Sequence, residues 1–168
     1  PWAGIEPYIP LLGHDRTWAC AKGVYAEPVA EHALARLRAG FRNLHGYARA
    51  ETWTGPAGRN LFGADVTIFG GGGIAAALIE LLVPFRCGIT VVRQNPAPMG
   101  GVDRVLGPDD RLDALRGADA VVLALPLLPG TVGLIGPDEL AAMEDHAWLI
   151  NVARGAHVQT DALVDALA

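Results

Sequence analysis

Two arginines and a run of four glycines are the residues whose types and spacing point to chemistry. The glycines stand in Asp65–Ala75, DVTIFGGGGIA, directly after a short apolar run and directly before Ile74-Ala75-Ala76-Ala77-Leu78. The order reads strand, tight turn, helix. Written as a pattern it is Gly70-x-Gly72-x-x-Ala75, the glycine signature of a turn that cradles a dinucleotide pyrophosphate. Gly70 permits the tight turn, Gly72 lets the backbone approach phosphate oxygens, and Ala75 is small enough for close helix–strand packing. Gly73 and Ile74 open the helix, where free N–H groups and the positive end of the dipole face an anion. Alone, four glycines are equally well a flexible loop.

Arg93 lies just past a second apolar run, about 20 residues beyond the turn, where a dinucleotide fold usually carries an acid for the adenine ribose. Here the run is Arg93-Gln94-Asn95, with no carboxylate. It is either a partner for a 2′-phosphate or a surface arginine at a strand end. Arg154 sits between a buried-looking run and Gly155. Its planar fork suits a substrate carboxylate, and the alternative is a structural ion pair with a neighbouring aspartate.

Other chemistries find no support. His14, His32, His45, His146 and His157 are scattered without metal-ligand spacing, and none is assigned a catalytic role. There is no G-x-S-x-G elbow and no P-loop lysine. Cys20 and Cys87 are far apart, which reads as free thiols in a reducing cytoplasm.

The elements that must position these residues follow from periodicity. Residues 1–24 read as loop with one short strand at most. Residues 26–45 read as a helix, with Ala30, Ala33, Leu34, Leu37, Phe41 and Leu44 on one apolar stripe. Gly46 is expected to close it, and Thr52–Asn60 to connect. A strand over 66–69 leads through the glycines into a helix from Gly73 to Val83, ended by Pro84. Gly88–Val92 is a second strand, Val102–Leu106 a short one, Ala120–Leu125 a third strong strand and Ala147–Val152 a fourth. Helices are expected over Leu112–Arg116, Pro137–Met143 and from Thr160 onward. Alternating strands and helices predict a doubly wound α/β fold on a parallel sheet. Ligands bind outside the carboxyl ends of such strands. Gly70–Gly73, Arg93, Pro126–Thr131 and Ala153–Gly155 all follow strand ends and should line one edge.

The bulk composition bounds the function classes. The chain has 168 residues, 51% hydrophobic and 18% charged, with a formal charge of -5. That is a packed domain rather than a disordered segment, with no basic run to suggest nucleic acid. No apolar run approaches the roughly 18 residues that span a bilayer. All but one of the 13 basic residues are arginine, the exception being Lys22, which we read as compositional bias. The chain begins at Pro1 and stops inside an apparent helix, as a piece of a longer protein would.

Several stretches resemble one known family. Trp2-Ala3-Gly4-Ile5-Glu6, Gly23–His32, the glycine turn, Ala124-Leu125-Pro126-Leu127 and, most specifically, Ile150-Asn151-Val152-Ala153-Arg154-Gly155 run in the order of the D-isomer-specific 2-hydroxyacid dehydrogenases. The resemblance implies a Rossmann-like NAD(P)-binding domain over 25–168, truncated at its C-terminus and including an interdomain helix. It also implies a substrate-domain remnant over 1–24, and a homodimer for the full-length protein. By resemblance, Ala3 and Gly4 belong to the loop that holds the substrate carboxylate. Gly70, Gly72, Gly73, Ile74, Arg93, Leu125, Pro126, Thr131, Val152 and Ala153 belong to the cofactor site, and Arg154 matches the catalytic arginine. The implied reaction passes a hydride between NAD(P)H and a 2-keto acid such as glyoxylate or hydroxypyruvate. A histidine backed by a glutamate supplies the proton in similar enzymes. Both lie beyond the Asn-Val-Ala-Arg-Gly segment, so these 168 residues alone are expected not to turn over substrate.

Three departures refine the expectation. Ala75 stands for the third glycine, Leu128 for a frequent threonine, and Arg93 for the usual acid, which favours NADP. No metal, membrane or nucleic-acid partner is implied. The competing readings are a dinucleotide-sensing or corepressor-like scaffold, and a methyltransferase with a similar glycine turn.

Overall fold

A computed structural model describes residues 6–13, 15, 17–19, 21 and 23–168. Five parallel strands form one sheet: β1 (Asp65–Phe69), β2 (Gly88–Val92), β3 (Arg104–Leu106), β4 (Ala120–Leu123) and β5 (Trp148–Asn151), in the order β3-β2-β1-β4-β5. The chain steps outward from β1 to β3, then returns to β4 on the other side of β1. The strand order therefore reverses between β1 and β4, and a doubly wound sheet opens its ligand crevice at that reversal.

The short apolar runs become strands because both sheet faces are covered. Val66, Ile68, Ile89, Val91, Ala120 and Val122 pack on one face against α1 (Ala26–Phe41) and α3 (Gly73–Leu82). Phe69, Val92, Val121 and Leu123 pack on the other against α4 (Arg111–Leu115) and Ile135. A strand buried on both sides reads as a continuous apolar run, as β4 does. A polar residue within β1, Thr67, is buried and donates its hydroxyl to the Ala114 carbonyl at 2.6 Å, tying β1 to α4. Two further helices, α5 (Pro137–Ala142) and α6 (Thr160–Leu167), follow β4 and β5. The buried Glu139 carboxylate joins α5 to α4, accepting from Arg111 at 2.8 Å and from the Gly136 N–H at 3.0 Å.

The predicted 26–45 helix is two helices. α1 ends at Phe41, Asn43 turns left-handed with φ 51°, and α2 runs from Leu44 to Arg49. Ala30, Ala33, Leu37 and Phe41 keep the predicted stripe, but Leu44 is 52% exposed and Gly46 lies inside α2 rather than closing a helix. The cause is the connector that follows. Arg59 donates its N–H to the Phe41 carbonyl, and Gly58, at φ +96°, lies so close that a Cβ would press on that same oxygen. The segment crosses the end of α1 and takes the acceptor that a longer helix would need. Elsewhere the differences are small. Glu6–Leu11 forms a 3-10 helix in the region read as loop or strand, and Val83–Phe85 forms another after α3, containing Pro84. The arginines in and just after α1 make local contacts: Arg36 with His32, Arg38 over the Phe85 ring and, at the C-cap, Arg42 with Asn60.

The amino ends of the strands are stitched by charge. Asp119 takes the Asp65 N–H at 2.9 Å, His146 Nε2 at 2.9 Å and Arg59 at 2.7 Å, with its side chain only 14% exposed. Its backbone bonds to both Asp65 and Trp148, joining β1, β4 and β5. Burial opposes the charge, but the Asp65 N–H, His146 and Arg59 outweigh it and hold the carboxyl below its usual range. A carboxylate with a lowered folded pKa contributes stability at neutral pH that is lost as pH falls through that value. Asp119→Ala should cost about 1–3 kcal/mol at pH 7, the scale of a stranded buried donor and lost charged bonds. Urea melts should show the difference narrowing below about pH 4, the ordinary carboxylate range; an equal gap at pH 7 and pH 3 would refute the assignment.

Candidate functional site

The carboxyl ends of the strands have a different character. Gly70 leaves β1 with φ +114°, a left-handed conformation that disfavours any Cβ. A Cβ there would also run into the Ala124 carbonyl, whose carbon would be 2.8 Å away. The turn is pinned on both sides: Gly70 donates to Val92 at 2.8 Å, and Ala124 donates to Phe69 at 2.8 Å. Gly72, in contrast, faces open space, with no atom within 4 Å of a Cβ placed there. It is the N-cap of α3 and offers no side-chain cap. The first-turn N–H groups of α3, from Gly73 and Ile74 onward, have no intrahelical carbonyl to bond and point outward. Ala75 is fully buried against β1, where a larger side chain would push the helix away. A cradle crowded behind and open in front, lined by N–H donors, can hold a phosphate group.

The two arginines flank this cradle. Arg93 follows β2, and its Cδ and Nε would lie 3.0 Å from a Cβ at Gly71, so its stem crosses the turn. Arg154 follows β5, two strand spacings to the other side, roughly 10 Å. Among the described residues neither guanidinium has a carboxylate partner. The ion pair that is the alternative for Arg154 in the sequence is therefore absent among the described residues. The bond it makes is intraloop, from Nη1 to the Ala153 carbonyl at 2.9 Å. Its backbone is held by Asn151, whose Nδ2 donates to the Arg154 carbonyl at 2.8 Å while its Oδ1 accepts from the Ala153 N–H at 2.9 Å.

Between the arginines runs the loop after β4. The Leu125 Cα would lie 3.3 Å from a Cβ at Gly70, so this loop abuts the glycine turn. Thr131 Oγ1 accepts from the Leu128 N–H at 2.8 Å and donates to the Pro126 carbonyl at 3.0 Å or that of Leu128 at 3.1 Å. Its hydroxyl thus shapes its own loop. Val152 packs toward the α1 and α3 face and Ala153 toward the opposite one, so both serve this edge through backbone. Ala3 and Gly4 lie outside the described residues.

His157, to which the sequence assigns no role, also stands at this edge. It is fully buried, with Nδ1 2.8 Å from the Thr131 carbonyl and Nε2 3.2 Å from that of Leu125. The signal available in the sequence, a polar ring between Ala156 and Val158 just after Arg154, carries no period or motif. Asn151 pins this loop through bonds to main-chain atoms, which no motif spacing marks. Among the described residues, no cluster of three His, Cys, Asp or Glu could hold a metal, and no helix is long and apolar enough to cross a membrane. Cys87 is half-buried, bonded to the Leu61 carbonyl, and burial pushes its thiol up.

Comparison with known proteins agrees with this geometry. Residues 32–168 match the family model of the D-isomer specific 2-hydroxyacid dehydrogenase NAD binding domain. Glyoxylate/hydroxypyruvate reductase A of Serratia proteamaculans is 27% identical over 84% of this chain and 46% of its own length. The crystal structure of a D-isomer specific 2-hydroxyacid dehydrogenase from Xanthobacter autotrophicus, in complex with NADPH and MES, superimposes with TM-score 0.80 at 28% identity, over 88% of this chain and 48% of that one. The NAD-complexed enzyme of Lactobacillus delbrueckii gives TM-score 0.73 at 27% identity, over 83% and 44%. The chain spans about half the length of these relatives. It belongs to the D-isomer specific 2-hydroxyacid dehydrogenase family and carries its Rossmann-like, NAD-binding fold.

Gly70 and Gly72 should respond differently to the same change. Gly70→Ala meets the Ala124 carbonyl and a left-handed φ, and should lower stability by about 1–3 kcal/mol. Gly72→Ala meets nothing within the chain and should leave stability within about 0.5 kcal/mol, yet weaken dinucleotide binding several-fold. Thermal melts and cofactor titrations of both variants check this.

Proposed function

We propose that this chain is the cofactor-holding part of an NAD(P)-dependent oxidoreductase that interconverts 2-keto and 2-hydroxy acids, with glyoxylate and hydroxypyruvate as its substrate class. The observation that carries the reading is Arg154. A guanidinium on a backbone turn held by Asn151, bonded itself to the Ala153 carbonyl and without a carboxylate partner among the described residues, stands on the same sheet edge as the open glycine cradle. A fork of that kind takes a carboxylate through two parallel bonds and withdraws electron density from an adjacent carbonyl. A scaffold that only sensed a dinucleotide would have no use for such a group. When bound, the nicotinamide supplies the hydride. The chain's own part is to place the pyrophosphate on the α3 N-terminus, to hold the substrate with Arg154, and to shield one side of the site with the loop after β4.

Residues 25–168 are in this reading the NAD(P)-binding domain, and 1–24 the edge of a substrate domain in which Ala3 and Gly4 would help hold the carboxylate. Gly70, Gly72, Gly73 and Ile74 take the pyrophosphate. Leu125, Pro126, Thr131, Val152 and Ala153 line the nicotinamide side, and Arg93 takes the adenosine side. The proton donor comes from outside these residues. Among those described, the histidine that touches a carboxylate is His146, and it sits on Asp119 at the opposite sheet edge. The full-length protein is proposed to be a homodimer.

Arg93 argues for NADP. It lacks a carboxylate partner and stands at the end of β2 beside Gly71, where an acid would repel a 2′-phosphate. The relative that binds NADPH makes that cofactor a natural one to test. Calorimetric titration should give NADPH binding at least as tight as NADH and no binding of S-adenosylmethionine; binding of the last alone would sink the reading. Arg93→Asp should shift the NADPH-to-NADH affinity ratio about tenfold or more toward NADH, the scale of one charged hydrogen bond. In the full-length protein, Arg154→Met should lower kcat/KM for glyoxylate by about 10²–10³. The 168 residues alone should bind cofactor without oxidising it.

A further inference from the structure

His157 is the one fully buried imidazole described, and no role has yet been given to it. Its ring lies between two carbonyl oxygens, those of Leu125 and Thr131. A carbonyl only accepts, so each contact is a bond only when the facing nitrogen carries a proton. A neutral ring makes one of the two bonds, the shorter being Nδ1 to Thr131; a protonated ring makes both. Both acceptors stand in the loop after β4, Leu125 where it abuts Gly70 and Thr131 at the end of its Pro129–Thr131 turn. One ring therefore spans that stretch of the loop. The same residue donates its backbone N–H to the Arg154 carbonyl at 3.1 Å, the oxygen that Asn151 also holds. His157 thus touches the loop on the cradle side and the turn that carries Arg154.

We infer that His157 is a positioning residue that sets the loop Leu125–Thr131 against both the glycine turn and Arg154, so that cofactor and substrate meet in register. The inference rests on the reading of this edge as a dinucleotide site. It assigns His157 no contact with either ligand. Its action is through the loop, on the part of the site that NADH and NADPH share. Arg93 acts on the part in which they differ. The two residues therefore separate by readout: loss of His157 weakens both cofactors equally, whereas loss of Arg93 changes their ratio.

The donors, rather than the bulk of the ring, are the cause. His157→Leu keeps the site filled and removes the ring N–H, so neither the Thr131 nor the Leu125 carbonyl can receive a bond from this position. NADH and NADPH dissociation constants, measured by fluorescence titration on the chain, should both rise about tenfold, with their ratio unchanged. His157→Asn places an amide N–H near the Nδ1 position and should recover most of the Thr131 bond and most of the affinity. If His157→Leu does not fold, His157→Asn is compared with His157→Val, of similar size and without donors, and the same recovery is expected. Unchanged affinity in the donor-free variant, or equal loss with Asn and with the apolar residue, overturns the inference. So does a change confined to one cofactor. Failure of the wild-type chain to bind either cofactor would instead overturn the dinucleotide reading beneath it.

Discussion

The contact that the rest of the structure depends on is backbone against backbone, Gly70 against Ala124. β1 and β4 are neighbours at the point where the strand order reverses, and both chains must leave the sheet there in opposite senses. With Gly70 at φ +114° the first chain turns sharply into α3, and the carbonyl of Ala124 occupies the place a side chain would need. Only that close approach brings the α3 N-terminus and the loop after β4 to a common crevice. A β1–β4 separation widened by one methyl would displace the helix start, the loop and, through the loop, His157. The glycine run is therefore not a flexible tether. Its first residue is a packing element and its third is the open face.

The two ends of the sheet divide the chain's electrostatics. At the amino ends, Asp119 gathers Arg59, His146 and the Asp65 N–H, so opposite charges meet and the groups are committed to stability. At the carboxyl ends, Arg93 and Arg154 face no acid among the described residues, and the α3 N-terminus adds a further positive end. A sheet edge where a helix N-terminus stands beside two arginines without a carboxylate partner among the described residues attracts anions. Stability and function are built from the same residue types, and differ in whether a partner has been supplied within the chain.

Much of this was legible in the sequence, for reasons that lie in particular residues. β2 was bounded correctly at Gly88–Val92, because its β-branched run Ile89–Val92, largely buried, ends at a glycine on one side and an arginine on the other. The glycine turn and the strand-end residues were legible because a parallel sheet forces them to one edge whatever the loop details. The break at Asn43 was not. Periodicity follows helix-favouring side chains, and Leu44 continues the stripe; what ends α1 is the Phe41 carbonyl being taken by Arg59, a contact from a segment with no pattern of its own. His157 was invisible for a related reason. Its partners are main-chain carbonyls, which carry no residue identity, so no spacing could have named them.

The same distinction explains why Thr131 reads differently in the two views. Its place after β4 marks it as a site residue, and it does stand at that edge. Its hydroxyl, however, bonds to Leu128 and Pro126 within the loop, while its carbonyl meets His157. A polar side chain beside a ligand crevice has two uses, touching the ligand or holding the wall, and a hydroxyl already within 3.1 Å of three loop atoms is holding the wall. Among the described residues, those left to meet a ligand are the first-turn α3 N–H groups and the two arginines without a carboxylate partner, Arg93 and Arg154, the latter bonded only within its own loop. By that measure the crevice is a rigid set of walls, fixed by Thr131, Asn151 and His157, around a small number of uncommitted donors. Rigid walls with free donors let the donors' geometry, rather than loop rearrangement, decide which anions fit.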